Sequence, residues 1–344
     1  MIDTLRIAVV GATGAVGEAM LSILAEKGFG KCTVHALASE KSFGSSVELG
    51  MRTLPVEVLD DFDFEGVDFA LFSAGASVSL EHATRASAAG CIVIDNTSAF
   101  RLDDSFSLVV PEVNGQLLED VSPGDIIANP NCSTIQMLVA IAPIHKAVGI
   151  KSINVATYQS VSGAGSAGME ELARQTMDRL SFKDVNPSVF AQPIAFNVIP
   201  VIDEMQENDY TREEMKLHWE TQKILADDNV SVNATAVRVP VFFGHSEAVH
   251  LITREPFEMD VVKELLKNAD GIELIDDTDP KEQATAVTHA AGNDAVYVSR
   301  LRRDHGNERG INMWVVSDNV RKGAALNAVQ ILKTIVDIKM RVET

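Results

Sequence analysis

Cys132 is the residue around which a reaction could be built. It follows Asn129-Pro130-Asn131 and precedes Ser133-Thr134, with Ile126-Ile127-Ala128 before and an apolar run from Ile135 to Ala142 after. The first run predicts the end of a buried strand, and the second a buried helix that is apolar nearly all round. Asn131 then occupies the N-cap position and Cys132 the first turn. A thiol there meets unpaired backbone N–H groups and the positive end of the helix dipole, and both favour the nucleophilic thiolate. A cysteine packed in the core is the competing reading of the same position. His245, directly after Gly244 near a strand end, is a candidate acid or base. Gln159 closes a predicted strand over 152–159 and could orient a substrate. Arg101, after a strand over 92–95, is a candidate anion ligand. Strand-end polarity and an exposed loop arginine are the ordinary alternatives for these two.

These groups need a scaffold, and the composition allows one. The chain has 344 residues, 46% hydrophobic and 23% charged, enough for a proper core and for one large or two ordinary domains. Lys+Arg number 29 against 49 Asp+Glu, a formal charge of −20, which argues against nucleic acid or an anionic membrane as the main partner. No apolar run reaches membrane-spanning length, and the first residues carry no basic leader. The cysteines are 3, Cys32, Cys91 and Cys132, an odd count that suggests reduced thiols. A cytoplasmic protein without a metal is expected.

The N-terminal stretch predicts a nucleotide site. Leu5 to Val10 reads as a buried strand, Gly11-Ala12-Thr13-Gly14-Ala15-Val16-Gly17 follows at once, and Glu18 to Lys27 has helical character. Strand, glycine turn and helix form the context of a dinucleotide fingerprint, here spaced G-x-x-G-x-x-G. Gly11 permits the turn, Gly14 lets a pyrophosphate approach the backbone, and Gly17 lets the helix pack on the strand. The next strand, Cys32 to Ala38, ends in Ser39-Glu40-Lys41-Ser42. A hydroxyl and a cation suit a 2′-phosphate, so NADP is favoured, while Glu40 could instead bind the ribose of NAD. A strand over 67–72 ends in Ser73-Ala74-Gly75, which should lie near the cofactor. Leu80 to Ala89 is helix-like.

Later in the chain, Lys183 to Glu207 is irregular. Thr211 and Glu214 fit a capping box for a helix through Leu225, a purely structural explanation of Glu214. Strands are predicted over 232–241, 249–253 and 311–317, with a short helix near 261–267 and a long amphipathic helix from Ala324 to about Met340.

Together these stretches resemble the aspartate-β-semialdehyde dehydrogenase family. The resemblance is carried by the glycine turn, Val109-Val110-Pro111-Glu112-Val113-Asn114, Asn129 to Thr134, Tyr158-Gln159, Arg238-Val239-Pro240-Val241, Gly244-His245-Ser246-Glu247 and Asp318 to Ala325. It implies an α/β fold: an N-terminal Rossmann-like dinucleotide-binding domain over 1–130 and 319–344, and an α+β catalytic and dimerisation domain with a mixed sheet over 131–318. The final helix should return to the first domain. The implied reaction is reversible reductive dephosphorylation of L-aspartyl 4-phosphate to L-aspartate 4-semialdehyde and phosphate with NADPH, toward lysine, threonine, methionine and diaminopimelate. By the same resemblance Cys132 forms a thioester, His245 is its acid/base and Gln159 orients the intermediate. Arg238 would bind the α-carboxylate and Glu214 the α-ammonium, with phosphate on Arg101, Asn131 and Lys216. The cofactor set is Gly11, Thr13, Gly14, Ala15, Val16, Gly17, Ser39, Lys41, Ser42, Ser73, Ala74, Gly75, Ser162, Gly163 and Asn319. The assembly is a homodimer or a tetramer, with the second domain's sheet at the interface. Lys41 stands where family members often carry arginine, which keeps the charge but loses the planar fork. An N-acetyl-γ-glutamyl-phosphate reductase type of enzyme is the nearest alternative, and pairing Glu214 with Arg238 favours a free amino-acid end instead. A nucleotide-binding paralogue without catalysis is the other, and Cys132 with His245 argues against it.

Two spacings resist regular geometry. Glu214 and Lys216 are too close in sequence to face each other on a helix. Arg238 and His245 are an odd number apart, on opposite faces of any regular strand.

Overall fold

The computed structural model describes residues 2–342. The chain divides into two units, Met1–Asn131 with Ala324–Thr344, and Cys132–Gly323. In this division residues 319–323, expected with the first domain, fall in the second unit.

The first unit begins with β1 (Arg6–Val10), α1 (Ala15–Leu24), β2 (Thr33–Ala38), β3 (Ser46–Leu49), β4 (Arg52–Val58) and β5 (Phe69–Phe72). It continues through α2 (Ala76–Ala88), β6 (Ile92–Asp95), β7 (Ser107–Leu108), α3 (Pro111–Asn114) and β8 (Ile126–Ala128). The strands form one sheet in the order β3-β4-β2-β1-β5-β6-β8-β7. All pairs are parallel except β3 with β4. Residues 7–10 of β1, all of β5 and residues 92–94 of β6 are apolar runs because a parallel sheet is buried on both faces. The chain goes from β1 to β2 on one side and later to β5 on the other, so β1 and β5 flank the topological switch point where such sheets bind ligands.

The second unit holds α4 (Cys132–Val148), β9 (Ile150–Gln159), α5 (Gly165–Leu180), α6 (Arg212–Leu225), β10 (Ser231–Arg238), β11 (His245–Thr253), α7 (Met259–Lys267), β12 (Ile272–Leu274), β13 (Val296–Arg303) and β14 (Gly310–Ser317). Its mixed sheet runs β10-β9-β11-β14-β13-β12. β9 shows the alternation of a sheet with one covered face: Ile153, Val155, Thr157 and Gln159 are buried, while Asn154, Ala156 and Tyr158 are not. α4 packs against β9, β11 and β14. It is buried along almost its whole length, as its apolar sequence requires. Tyr158 and Trp314 meet on the other face, ring centroids 5.5 Å apart.

α8 (Leu326–Val342) closes the chain. Its Leu326, Val329, Leu332, Ile335 and Val336 join Met20, Leu21 and Leu24 of α1 in the core of the first unit. No helix among the described residues is long and apolar enough to cross a membrane.

Candidate active site

In the first unit, glycine does the structural work at the switch point. Gly11 has φ 85°, and a Cβ there would lie 3.0 Å from the backbone of Ser73 and Ala74. At Gly17 a Cβ would lie 2.1 Å from the Gly11 carbonyl oxygen, so α1 can start against β1 only without a side chain there. Gly14 holds the N-cap position of α1 and offers no side-chain cap, leaving the first-turn N–H groups of Ala15 and Val16 turned to the turn itself. Thr13 Oγ1 lies 3.4 Å from Ser42 Oγ, which brings the glycine turn beside the exposed Ser39-Glu40-Lys41 turn that follows β2. Ser73 is fixed by its own N–H and Oγ, which donate to the Val10 carbonyl at 2.9 and 3.2 Å. These features fit a dinucleotide: small residues at the switch point, a helix start with no side-chain cap, and a hydroxyl and a cation after the second strand.

Arg101 is nearly buried, and its Nη2 donates to the Asn96 carbonyl at 2.9 Å. It neighbours Asp95, whose carboxyl is pushed up by burial despite hydrogen bonds from Ser79 and Thr97 and the charge of Arg101. Asn129 ties this corner together: its Nδ2 donates to Asn96 Oδ1 at 2.6 Å, and its Oδ1 accepts from Asn327 at 2.6 Å. Asn131 is buried directly before α4.

In the second unit, Cys132 opens α4 and is half-buried. The turn before α8 closes over it, since a Cβ on Gly323 would lie 2.7 Å from Cys132 Cβ. Gln159, at the end of β9, donates to Ser133 Oγ at 2.9 Å and to Glu213 Oε1 at 3.0 Å. Glu213 Oε2 in turn accepts from Lys216 Nζ at 3.0 Å, and Lys216 also reaches Asp203 Oδ2 at 2.8 Å. Burial pulls the Lys216 ammonium down, but the two carboxylates outweigh it and hold its pKa above the ordinary lysine value.

Arg238 ends β10 in register with Gln159, so the two lie side by side. Its Nη1 donates to the Ser160 carbonyl at 2.7 Å, and its guanidinium lies 5.8 Å from the Phe190 ring centroid. Burial lowers its pKa and Glu213 and Cys132 oppose that, yet a guanidinium stays charged at neutral pH. His245 opens β11 and is fully buried. Burial first, then the Arg238 charge, lower its pKa to about 3, so the ring is neutral. Gly163 separates the two: its Cβ would lie 2.9 Å from Arg238 Nη1 and 3.6 Å from His245 Nε2. The odd spacing of Arg238 and His245 is thus resolved by two strands, with the link from Val239 to Gly244 reversing the chain between them.

Glu214 is corrected. Its Oε2 accepts from Thr211 N–H at 2.7 Å in the capping box, and its Oε1 from Ala236 N–H at 2.9 Å. Both oxygens are spent on backbone, while Glu213 faces Gln159. Glu213 and Lys216 are three apart on α6, which removes the first spacing difficulty. The signal was in the sequence: once a capping box explains Glu214, the neighbouring acid is the one left to pair with Lys216. Ser162 and Asn319, expected at the cofactor, use their side chains on one another at 2.9 Å, and Asn319 Oδ1 also accepts from Gly244 N–H at 2.9 Å. Among the described residues no cluster of His, Cys, Asp and Glu has the make-up of a metal site.

One buried group lies outside this ring. Glu247 is two residues beyond His245 on the same face of β11 and fully buried, and burial raises its pKa well above the carboxylate range. Gln136, one turn along α4 from Cys132, is its neighbour.

Residues 6–121 match the family described as semialdehyde dehydrogenase, NAD binding domain, and residues 141–322 match semialdehyde dehydrogenase, dimerisation domain. Over 336 residues the chain is 52% identical to an aspartate-semialdehyde dehydrogenase of Shewanella sp. (strain DB6705), spanning 98% of this chain and 99% of that protein. The chain belongs to the aspartate-semialdehyde dehydrogenases. Aspartate-semialdehyde dehydrogenase 2 of Vibrio cholerae is likewise 52% identical over 336 residues, 98% of this chain and 99% of that one. The crystal structure of aspartate semialdehyde dehydrogenase II of Vibrio cholerae complexed with ASA is similar at TM-score 0.94 and 51% identity, over 97% of this chain and 98% of that one. The aspartate semialdehyde dehydrogenase of Candida albicans with NADP, at 24% identity and TM-score 0.76, shares the fold. The two family matches of this aspartate-semialdehyde dehydrogenase family member leave residues 122–140 between them, and Cys132 lies there.

Proposed function

We propose that this chain interconverts L-aspartyl 4-phosphate and L-aspartate 4-semialdehyde with phosphate and NADP(H), in the biosynthesis of lysine, threonine, methionine and diaminopimelate. One observation carries the reading. The Gln159 amide joins Ser133, next to Cys132, to Glu213 at 2.9 and 3.0 Å, within a buried ring that also holds Arg238 and His245. An isolated core cysteine has no use for such surroundings.

Cys132 Sγ attacks the acyl-phosphate carbon, the C–O bond to phosphate breaks, and a thioester remains. When bound, the nicotinamide supplies the hydride that reduces this carbon. The thiohemiacetal on Cys132 then collapses to the aldehyde and thiolate, with His245 as acid/base at the oxygen. Backbone N–H groups at the start of α4 can hold the oxyanion that develops. Gln159 orients the intermediate. Arg238 offers a planar fork to the α-carboxylate, and Glu213, in place of Glu214, takes the α-ammonium. Phosphate is assigned to Arg101, Asn131 and Lys216 by family resemblance. Gly11, Thr13, Gly14, Ala15, Val16 and Gly17, with Ser73, Ala74 and Gly75, cradle the dinucleotide. Ser39, Lys41 and Ser42 meet the 2′-phosphate. A homodimer through the partly exposed face of the second sheet that carries Tyr158 and Trp314 agrees with the dimerisation-domain match.

The test is an absorbance assay of nicotinamide reduction with aspartate semialdehyde and phosphate, run with NADP and with NAD. Acetylglutamate semialdehyde is the control. Turnover with the free amino acid and preference for NADP are expected. Better turnover with the acetylated substrate overturns the substrate reading, and preference for NAD makes Glu40 the ribose ligand.

A further inference from the structure

Among the described residues, 181–211 form no helix or strand, yet this stretch is fastened at three places. Glu171 on α5 is buried, and its Oε2 accepts from the Ser188 and Val189 N–H groups at 2.9 and 2.6 Å and from Ser188 Oγ at 2.5 Å. The Phe190 N–H bonds the same carboxylate. Gln175, one turn further along α5, donates to Glu171 Oε1 at 2.9 Å, and its own Oε1 accepts from the Ile194 and Ala195 N–H groups at 2.8 and 3.2 Å. Ile199 exchanges both backbone hydrogen bonds with Arg238, at 2.9 and 2.8 Å.

The fastened stretch presents one aromatic ring to the site. Phe190 packs on Val161, Leu172 and Ile194. A Cβ on Gly168 would lie 3.2 Å from Phe190 Cζ, so the first turn of α5 is bare where the ring passes. The Arg238 guanidinium lies over this ring, 5.8 Å from its centroid, within the range of cation–π attraction. Arg238 is thus set from three sides. Its Nη1 donates to the Ser160 carbonyl, the bare backbone of Gly163 lies beside the same atom, and the Phe190 ring takes the third side. The other N–H groups of its planar fork are turned to a ligand of matching shape.

We propose that Phe190 is a specificity-determining residue of the α-carboxylate subsite, and that Glu171 is a positioning residue that holds the ring against Arg238, so that the guanidinium is ordered before substrate arrives and a carboxylate is chosen over an uncharged carboxamide. This rests on the assignment of Arg238 to the α-carboxylate given above. A planar anion gains from the fork only when two N–H groups already point the same way. A long side chain that has to be ordered during binding weakens affinity by about threefold to tenfold. A carboxamide has one acceptor oxygen and no charge, so it draws little from that order. The apolar ring also keeps water from the ion pair, which strengthens it. Loss of the ring therefore narrows the gap between acid and amide and leaves the chemistry at Cys132 as it was.

The test compares kcat and KM for L-aspartate 4-semialdehyde and for its α-carboxamide, in the full-length enzyme with phosphate and NADP. Phe190→Leu keeps apolar volume against Val161 and Ile194 and removes the ring. Its KM for the semialdehyde should rise about threefold to tenfold, with KM for the carboxamide and both kcat values little changed. Glu171→Gln removes the charge that gathers the amides of 188–190 and should shift the ratio of the two KM values the same way, by less. A Phe190→Leu enzyme in which that ratio is unchanged, because neither KM moves or both move together, overturns the proposal. Arg238→Lys separates the two readings. If it leaves KM for the semialdehyde unaltered, the carboxylate assignment itself fails; if it raises that KM while Phe190→Leu does not, only the role of Phe190 is lost.

Discussion

The two candidate sites are built from opposite materials. At the switch point of the first sheet the working parts are backbone, and the sequence contributes by leaving side chains out: Gly11 and Gly17 sit where a Cβ would strike Ser73, Ala74 or the Gly11 carbonyl. In the second unit the working parts are side chains, each held by another: Gln159 by Ser133 and Glu213, Glu213 by Lys216, His245 by Ser160. A backbone site is damaged by adding atoms and a side-chain site by removing them. The first kind of damage should appear in cofactor affinity and stability, and the second in turnover with the fold intact.

Cys132→Ala is the sharpest instance. It removes the atom that forms the covalent bond, so turnover should fall to background while NADP binding, measured by calorimetry, persists. Residual turnover above background would break the thioester mechanism. His245→Asn comes next. General acid–base and donor effects are worth about a hundred- to ten-thousand-fold, and the variant should lose that much while still acylating. Added mass on the peptide containing Cys132 would report the trapped thioester, and near-normal turnover would remove His245 from the chemistry.

Neighbouring glutamates give a comparison inside one helix turn. Glu213→Ala removes a charged hydrogen-bonding group worth about 1.5–3 kcal/mol, or roughly a tenfold to hundredfold fall in kcat/KM for the semialdehyde. Glu214→Ala removes the capping box and the bond to Ala236, costing about 1 kcal/mol of stability, with KM nearly unchanged. The reverse pattern would restore Glu214 to the substrate. Gly17→Ala is the counterpart in the first unit. Overpacking there costs about 1–3 kcal/mol, to be read as a lowered Tm and weaker NADP binding. An equal loss of turnover at saturating NADP would contradict the division drawn here.

The readability of the sequence followed the same divide. The glycine turn could be placed because strand, turn and helix are contiguous, and their roles depend on local backbone geometry. The position of Cys132 was legible for the same reason, directly after a cap and before an apolar run. The ring around Cys132 was not, because Gln159, Glu213, Arg238 and His245 come from four elements joined by sheet register. Taking Glu214 over Glu213 is the error that local reasoning invites, since both acids start the same helix and only the capping bond separates them. Ser160 gave no signal at all. It donates to His245 through its backbone N–H, a group that every residue except proline has. β3, β4, β12, β13 and α5 also escaped. β3 lies at the sheet edge with β4 beside it, both mix polar with apolar residues, and α5 carries few buried apolar side chains.

The glycine that lets the turn before α8 close on Cys132 bears on how the chain assembles. The first unit is discontinuous, and its core lacks one wall until Leu326, Val329, Leu332 and Ile335 arrive from the end of the chain. A nascent chain has made all of the second unit before those residues exist. Joining two distant segments through a slack intervening chain carries a loop-closure entropy that grows with its length. Here the intervening chain folds into a body whose first and last residues, Cys132 and Gly323, are in contact. Once it has folded, the strands before it and the helix after it emerge side by side, at a high effective concentration for one another. The order of assembly would then be second unit first, and pulse-labelled hydrogen exchange during refolding should protect β9 and β11 before β1 and α8.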